Sequence, residues 1–182
     1  IRANGLITIK LDAGDELKWV KGTTGKNDII ISTSAGQAVR FNEDQVRAMG
    51  RSARGVRGMR LRPKDEIVGM DVVSDPKQKL IAVSANGYGK ATAVQNFPVH
   101  KRGGVGIKVA SVTAKTGPIV AVHTLDPAAK EVIMMSTKGQ AIRVAMKEIP
   151  TLGRATQGVR IMKMSDGDTV ASIGIVLPED SE

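Results

Sequence analysis

The chain has 182 residues, enough for one domain or a short array of repeats with a buried core. It has no cysteine, no apolar stretch of membrane-span length and no signal-peptide pattern at its start, so disulfides, thiolate metal sites and cysteine nucleophiles are excluded and a soluble, cytoplasmic protein is expected. There are 27 Lys plus Arg against 18 Asp plus Glu, and three of those acids, Glu179, Asp180 and Glu182, lie in an acidic tail at 178–182; the body keeps 27 against 15, a surplus that suits a polyanion.

In chain order, runs rich in Val and Ile and bounded by Gly, Asn, Asp or Pro predict short strands at 28–33, 66–73, 80–84, 119–125, 131–136 and 169–176. Only 42–49 and 145–149 have the character of a helical turn. Gly36, Gly87 and Gly139 stand where tight hairpin turns are needed.

These elements recur. A signal of small residues, glycine and then a base reads Ser34-Ala35-Gly36-Gln37-Ala38-Val39-Arg40, Ser84-Ala85-Asn86-Gly87-Tyr88-Gly89-Lys90 and Ser136-Thr137-Lys138-Gly139-Gln140-Ala141-Ile142-Arg143, with the glycines 51 and 52 residues apart. A second signal reads Asn4-Gly5-Leu6-Ile7, Arg54-Gly55-Val56-Arg57, Gly103-Gly104-Val105-Gly106 and Gln157-Gly158-Val159-Arg160. A third places Leu17, Ile67, Ile119 and Val170 at spacings of 50, 52 and 51. A period of about fifty residues with roughly four strands in each predicts an all-β, propeller-like array of three blades, each packing its sheet on the next. The expected division is the second half of a preceding repeat at 1–22, then repeats at 23–74, 75–126 and 127–177; strands shared between neighbouring blades, or simply an arbitrary fragment end, would explain the opening phase.

Catalytic chemistry finds no support. The pairs Asp15-Glu16, Glu43-Asp44 and Asp65-Glu66 are adjacent, so on a strand their side chains diverge, and the recurrence of two of them at the repeat period points to a turn role. The Gly-rich stretches 87–90 and 103–106 lack the spacing of a nucleotide-phosphate loop, and His100 and His123 have no partner at metal-ligand spacing. No catalytic residue, cofactor or metal is expected.

The basic residues follow the repeat. Arg51, Arg54 and Arg57 are followed one period on by Lys101, Arg102 and Lys108, and then by Arg154, Arg160 and Lys163, with Arg57 and Arg160 matched beside their Gly-Val pairs. Arg40, Lys90 and Arg143 end the first signal. In a radial array, residues at one repeat position fall at one height, so a band of cations is expected along a rim, making phosphate contacts without reading bases. The aromatic residues are only Trp19, Phe41, Tyr88 and Phe97, too few to stack single-stranded bases, which favours double-stranded DNA. At 101–106, Gly103 and Gly104 remove the Cβ atoms that would hold a phosphate off the backbone, and Lys101 and Arg102 supply charge beside them.

The segments VRAMGRSARGVRGMRLRPKDEIVGMDVV (46–73), SANGYGKATAV (84–94) and EIPTLGRATQGVRIMKMSDGDTV (148–170) closely resemble the C-terminal DNA-wrapping domain of the bacterial DNA gyrase A protein, over all but the acidic end. The resemblance implies a β-pinwheel whose blades exchange strands and whose basic perimeter wraps duplex DNA for negative supercoiling, in company with the rest of the gyrase A protein and with gyrase B. The family's box, QRRGGKG, has its nearest match in His100-Lys101-Arg102-Gly103-Gly104-Val105-Gly106, with Val105 where the box has a base. The alternatives are the equivalent domain of topoisomerase IV and a propeller-like scaffold for protein interaction.

Overall fold

The computed structural model describes residues 5–178; the acids Glu179, Asp180 and Glu182 of the expected tail lie outside the described residues. The described chain is built from eleven strands and three short 3-10 turns, with no α-helix among them. The strands are β1 (Asp28–Thr33), β2 (Gln37–Asn42), β3 (Ile67–Val73), β4 (Lys79–Ser84), β5 (Tyr88–Ala93), β6 (Ile107–Lys108), β7 (Ile119–Leu125), β8 (Glu131–Ser136), β9 (Ala141–Ala145), β10 (Val159–Arg160) and β11 (Val170–Val176). The six expected strands are present within a residue of their expected ends. The helical turns expected at 42–49 and 145–149 are single 3-10 turns at Glu43–Gln45 and Met146–Glu148, and a third, at Val94–Asn96, fills the matching place between them.

Within the sheets all pairing is antiparallel, in the orders β3-β1-β2-β6, β10-β5-β4-β7 and β11-β8-β9, and one isolated parallel bridge joins Ala91 to Thr151. Each sheet is centred on a hairpin, β1–β2, β4–β5 or β8–β9, whose turn carries the anticipated glycine. Gly36, Gly87 and Gly139 have φ of 74°, 79° and 86°, and each donates its N–H back across the turn, to Thr33, Ser84 and Ser136 respectively. A carboxylate braces two of these turns. Asp65 accepts from the Ser34 hydroxyl and the Ala35 N–H, and Asp168 accepts from the Thr137 hydroxyl and the Lys138 N–H. Asp65 of the adjacent pair at 65–66 thus has the structural turn role that the recurrence implied.

The outermost strand of the first two sheets comes from the following repeat. β6 pairs with β2, Ile107 opposite Ala38 and Lys108 opposite Gln37; β10 pairs with β5, Val159 opposite Gly89 and Arg160 opposite Tyr88. Glycine precedes each exchanged strand for a steric reason. A Cβ on Gly106 would lie 2.6 Å from the Ala38 carbonyl oxygen, and one on Gly158 would run into the Gly89 carbonyl, 2.7 Å from its carbon, with φ at 80° and 82°. This corrects the alignment of the second signal. Gly106, not Gly104, is the counterpart of Gly55 and Gly158, so Gly106-Ile107-Lys108 matches Gly55-Val56-Arg57 and Gly158-Val159-Arg160.

The core lies between sheets. Along β4, Leu80 and Ala82 join Ile30, Val73, Phe97, Val109 and Val122 on one side, whereas Ile81 and Val83 join Leu125, Val132, Met134, Met162 and Val170 on the other. The two-residue period of a strand therefore buries both faces of the middle sheet, which is why its sequence is apolar without alternation. At the opposite edge from β6 and β10, the strands β3, β7 and β11 pack on one another. There Asp71 on β3 forms an ion pair with Lys21 at 2.9 Å, accepts the Thr124 N–H at 2.9 Å, and lies 3.5 Å from Nδ1 of His123. Burial alone would raise its pKa; hydrogen bonds from His123, Lys21 and Thr124 override that and hold the carboxyl at about 2.

Candidate nucleic-acid interface

With β3, β7 and β11 gathered at one edge, β6 and β10 form the other and carry Lys108 and Arg160 there, and the repeat-matched cations make two rows. The first row is Arg57, Lys108 and Arg160, one per repeat, each directly after the glycine and β-branched residue of an exchanged-strand segment; all three are exposed. The second is Arg51, Arg102 and Arg154, six residues earlier in each repeat. The rows interlock. The Arg102 guanidinium donates to the Arg57 carbonyl at 2.7 Å, and the Arg154 guanidinium donates to the Lys108 carbonyl at 3.5 Å. Each of these two second-row arginines thus bridges to the backbone of a first-row residue one repeat back, joining successive blades into a single cationic band.

Two different devices hold the second row. For Arg102, Gln45 from the 3-10 turn of the preceding repeat accepts its N–H at 2.9 Å through Oε1 and its Nε–H at 3.3 Å through the backbone carbonyl. For Arg154, the anchor is Lys90. That side chain is 1% exposed, and its ammonium donates to the carbonyls of Gly153 at 2.5 Å and Arg154 at 2.7 Å and to the Thr156 hydroxyl at 3.0 Å. Burial, with the neighbouring Arg154 charge, brings Lys90 down to about 8.

Lys90 therefore has no free proton for a phosphate, and its counterparts in the other hairpins are Val39 and Ile142. Arg40 is likewise taken up inside the protein. It pairs with Asp28 at 2.7 Å and donates to the carbonyls of Val94 and Phe97 at 3.1 Å each, which fastens the first blade to the turn after β5. Arg143 makes the matching pair with Glu131 two sheets later, with its side chain exposed. The "glycine then base" signal is thus one of fastening within and between blades, and these three residues stand apart from the two rows.

The loop at 101–106 is also tied to protein. Gly103, with φ of 84°, donates its N–H to the Gly58 carbonyl at 2.7 Å, and the Gly104 carbonyl accepts from the Arg60 N–H at 2.8 Å. The expectation that Gly103 offers its N–H to a phosphate does not hold, because that donor is spent on docking the loop against the preceding repeat. Lys101 is exposed beside it, as is Lys163 in the last repeat. Arg54 pairs with Asp12 at 2.6 Å, and Val105 and Gln157 occupy its place in the other repeats, so its charge is not part of a row.

Two participants, Tyr88 and Lys115, were not foreseen. Tyr88, opposite Arg160, receives a hydrogen bond from its guanidinium at 3.0 Å, and Arg160 and Lys115 lie 5.5 and 5.4 Å from the ring centroid. The Arg160 guanidinium beside the phenol holds Tyr88 below the usual tyrosine range. The signal available in the sequence was register: Tyr88 sits one residue after the turn glycine, where the exchanged strand ends opposite it. Among the described residues, no three His, Cys, Asp or Glu side chains converge as metal ligands.

Comparison with known proteins places this geometry. The chain is 40% identical to the DNA gyrase A protein of Staphylococcus epidermidis over 181 residues, and 41% identical to that of Aminobacterium colombiense over 172 residues. The matches cover 99% and 94% of this chain but only 20% and 21% of those proteins. A solved DNA gyrase A C-terminal domain superposes with a TM-score of 0.85 at 26% identity, over 96% of this chain and 59% of that one. The C-terminal domain of a DNA topoisomerase IV shares the fold, with a TM-score of 0.80 at 22% identity over 86% of this chain and 48% of that one. The model of the DNA gyrase C-terminal domain, a beta-propeller, matches residues 1–23, 27–74, 78–126 and 130–176, and the chain belongs to that family.

Proposed function

We propose that this chain binds double-stranded DNA without sequence preference along the outer edges of its sheets, and bends it, as the wrapping part of a gyrase A protein. In that role it supports ATP-dependent negative supercoiling by a type IIA topoisomerase, while the rest of gyrase A and gyrase B supply strand passage and ATP turnover; the chain itself contributes no catalytic group. The observation that supports this reading is the pair of rows, Arg57, Lys108, Arg160 and Arg51, Arg102, Arg154, each at one position per repeat and joined by the Arg102–Arg57 and Arg154–Lys108 bonds. Cations spaced along a curved edge give phosphate contacts that position a duplex and reward its bending. Recognition of base edges uses a helix or a long β-ribbon in the major groove, and the exchanged strands have two residues each.

Cyclisation of duplexes of about 150 base pairs, close to the DNA persistence length, tests the bending. The chain is expected to accelerate ring closure of unrelated sequences alike. Binding that leaves closure rates unchanged would reduce the role to attachment without wrapping.

A further inference from the structure

We infer that Lys90 is a positioning residue for DNA contact: a buried cation that never meets phosphate itself but fixes the 153–156 loop so that Arg154 is presented on the outer edge. The inference rests on the DNA-binding reading above. The middle hairpin carries a lysine where both other hairpins carry an aliphatic residue, Val39 or Ile142. A long cationic side chain placed in an apolar position is destabilising unless its protons are satisfied. Here three oxygens satisfy them, and all three belong to one loop, at Gly153, Arg154 and Thr156.

The surrounding bonds show what that grip does. The neighbours of Lys90 on the same strand hold the approach to the loop: the Ala91 N–H donates to the Pro150 carbonyl at 3.0 Å, the Leu152 N–H to the Ala91 carbonyl at 2.8 Å, and the Thr92 hydroxyl to the Leu152 carbonyl at 2.9 Å. Beyond Leu152 the chain turns outward. Gly153 and Thr156 are exposed, Arg154 reaches protein through a single long bond to Lys108, and the backbone at 153–154 is held by the Lys90 ammonium. The equivalent arginine one repeat earlier, Arg102, is held from its own side by Gln45. One repeat on, the turn that corresponds to Gln45's is Val94-Gln95-Asn96, where the place of Gln45 is taken by Asn96, whose side chain is one methylene shorter. Lys90 from inside replaces Gln45 from outside.

The test compares Lys90→Met, Arg154→Ala and the double variant, reading duplex affinity against salt from about 50 to 200 mM. One phosphate contact contributes a slope of about 0.9, or about 3.5-fold in affinity over that range. Lys90→Met is expected to lower the slope by the same amount as Arg154→Ala although it retains the arginine, and the double variant is expected to match the singles. An unchanged slope in Lys90→Met, or losses that add in the double variant, overturns the inference, because a purely structural lysine does not act through Arg154. Thr156→Val removes one acceptor of the ammonium, together with the hydroxyl's own bond to the Gly153 carbonyl, at an exposed residue and keeps the question answerable if Lys90→Met fails to fold: a smaller slope change than that of Lys90→Met is expected, absent when Arg154 is already alanine, and no change overturns the inference. If the unmodified chain shows no salt-dependent binding, the DNA-binding reading itself fails, and this inference with it.

Discussion

Replacing Gly158 with alanine perturbs strand exchange at its tightest point. The new methyl group would run into the Gly89 carbonyl, 2.7 Å from its carbon, and that carbonyl is backbone inside the middle sheet with no room to retreat. The residue also has φ of 82°, a conformation that costs a residue with a Cβ about 1–2 kcal/mol. The clash is relieved only if β10 lifts from β5, forfeiting a ladder of two residue pairs whose bonds are worth about 0.5–1.5 kcal/mol each. The expected loss is about 2–5 kcal/mol. Gly139→Ala provides the internal control, since its φ is 86° but nothing lies within 4 Å of the added methyl. That variant is expected to show the dihedral cost alone, about 1–2 kcal/mol. Urea unfolding of both variants, followed by circular dichroism, measures the difference, with the m-values checked for a change in cooperativity. If Gly158→Ala is no less stable than Gly139→Ala, the close approach of β10 to β5 is not what requires glycine there, and the account of blade assembly is wrong.

Arg102→Ala is expected to weaken binding equally on unrelated duplexes and lower the salt slope by about one unit, and equal affinity and slope would remove Arg102 from the interface. Asp71, held at about 2 against an ordinary 3.8, gives up its proton more readily in the folded state, so its contribution of about 2 kcal/mol is present above pH ~4 and is lost as pH falls toward 2. Asp71→Asn should therefore narrow its stability gap to the parent over that window, and parallel urea midpoints would contradict the assignment. Lys90 has the same sign at higher pH, although here burial favours the neutral form. Between about 8 and 10.5 the folded chain has released a proton that the unfolded chain retains, so stability relative to Lys90→Met should rise with pH across that window, and a constant difference would show that the ammonium is not depressed.

Most of the architecture is legible in the sequence because it rests on local chemistry repeated at a fixed period. Val- and Ile-rich runs form strands, and turn glycines at 36, 87 and 139 adopt the positive φ that hairpins need. What the sequence hid was set by contacts between repeats. The exchanged strands β6 and β10 are two residues long, too short to show a period, and Gly103-Gly104 offered a false match to Gly55 two residues before the glycine that meets the Ala38 carbonyl. The site was half legible for the same reason. Arg57, Lys108 and Arg160 lie on exposed edges, where a charge in the sequence is a charge on the surface. Arg40 and Lys90 look alike in sequence terms, but the next repeat folds its carbonyls over them. Charge periodicity reports position along the chain, and it cannot distinguish a cation that faces water from one that faces the neighbouring blade.

The most direct test of the central claim is the salt dependence of duplex binding by the chain carrying Arg57→Ala, Lys108→Ala and Arg160→Ala together, beside the parent chain. Each residue is exposed, and each belongs to a different repeat. If the outer edge carries the DNA, the slope of log affinity against log salt falls by about 2.7, three phosphate contacts at about 0.9 each, on every duplex tried. A triple variant that folds and keeps the parent slope would place the DNA elsewhere on the molecule.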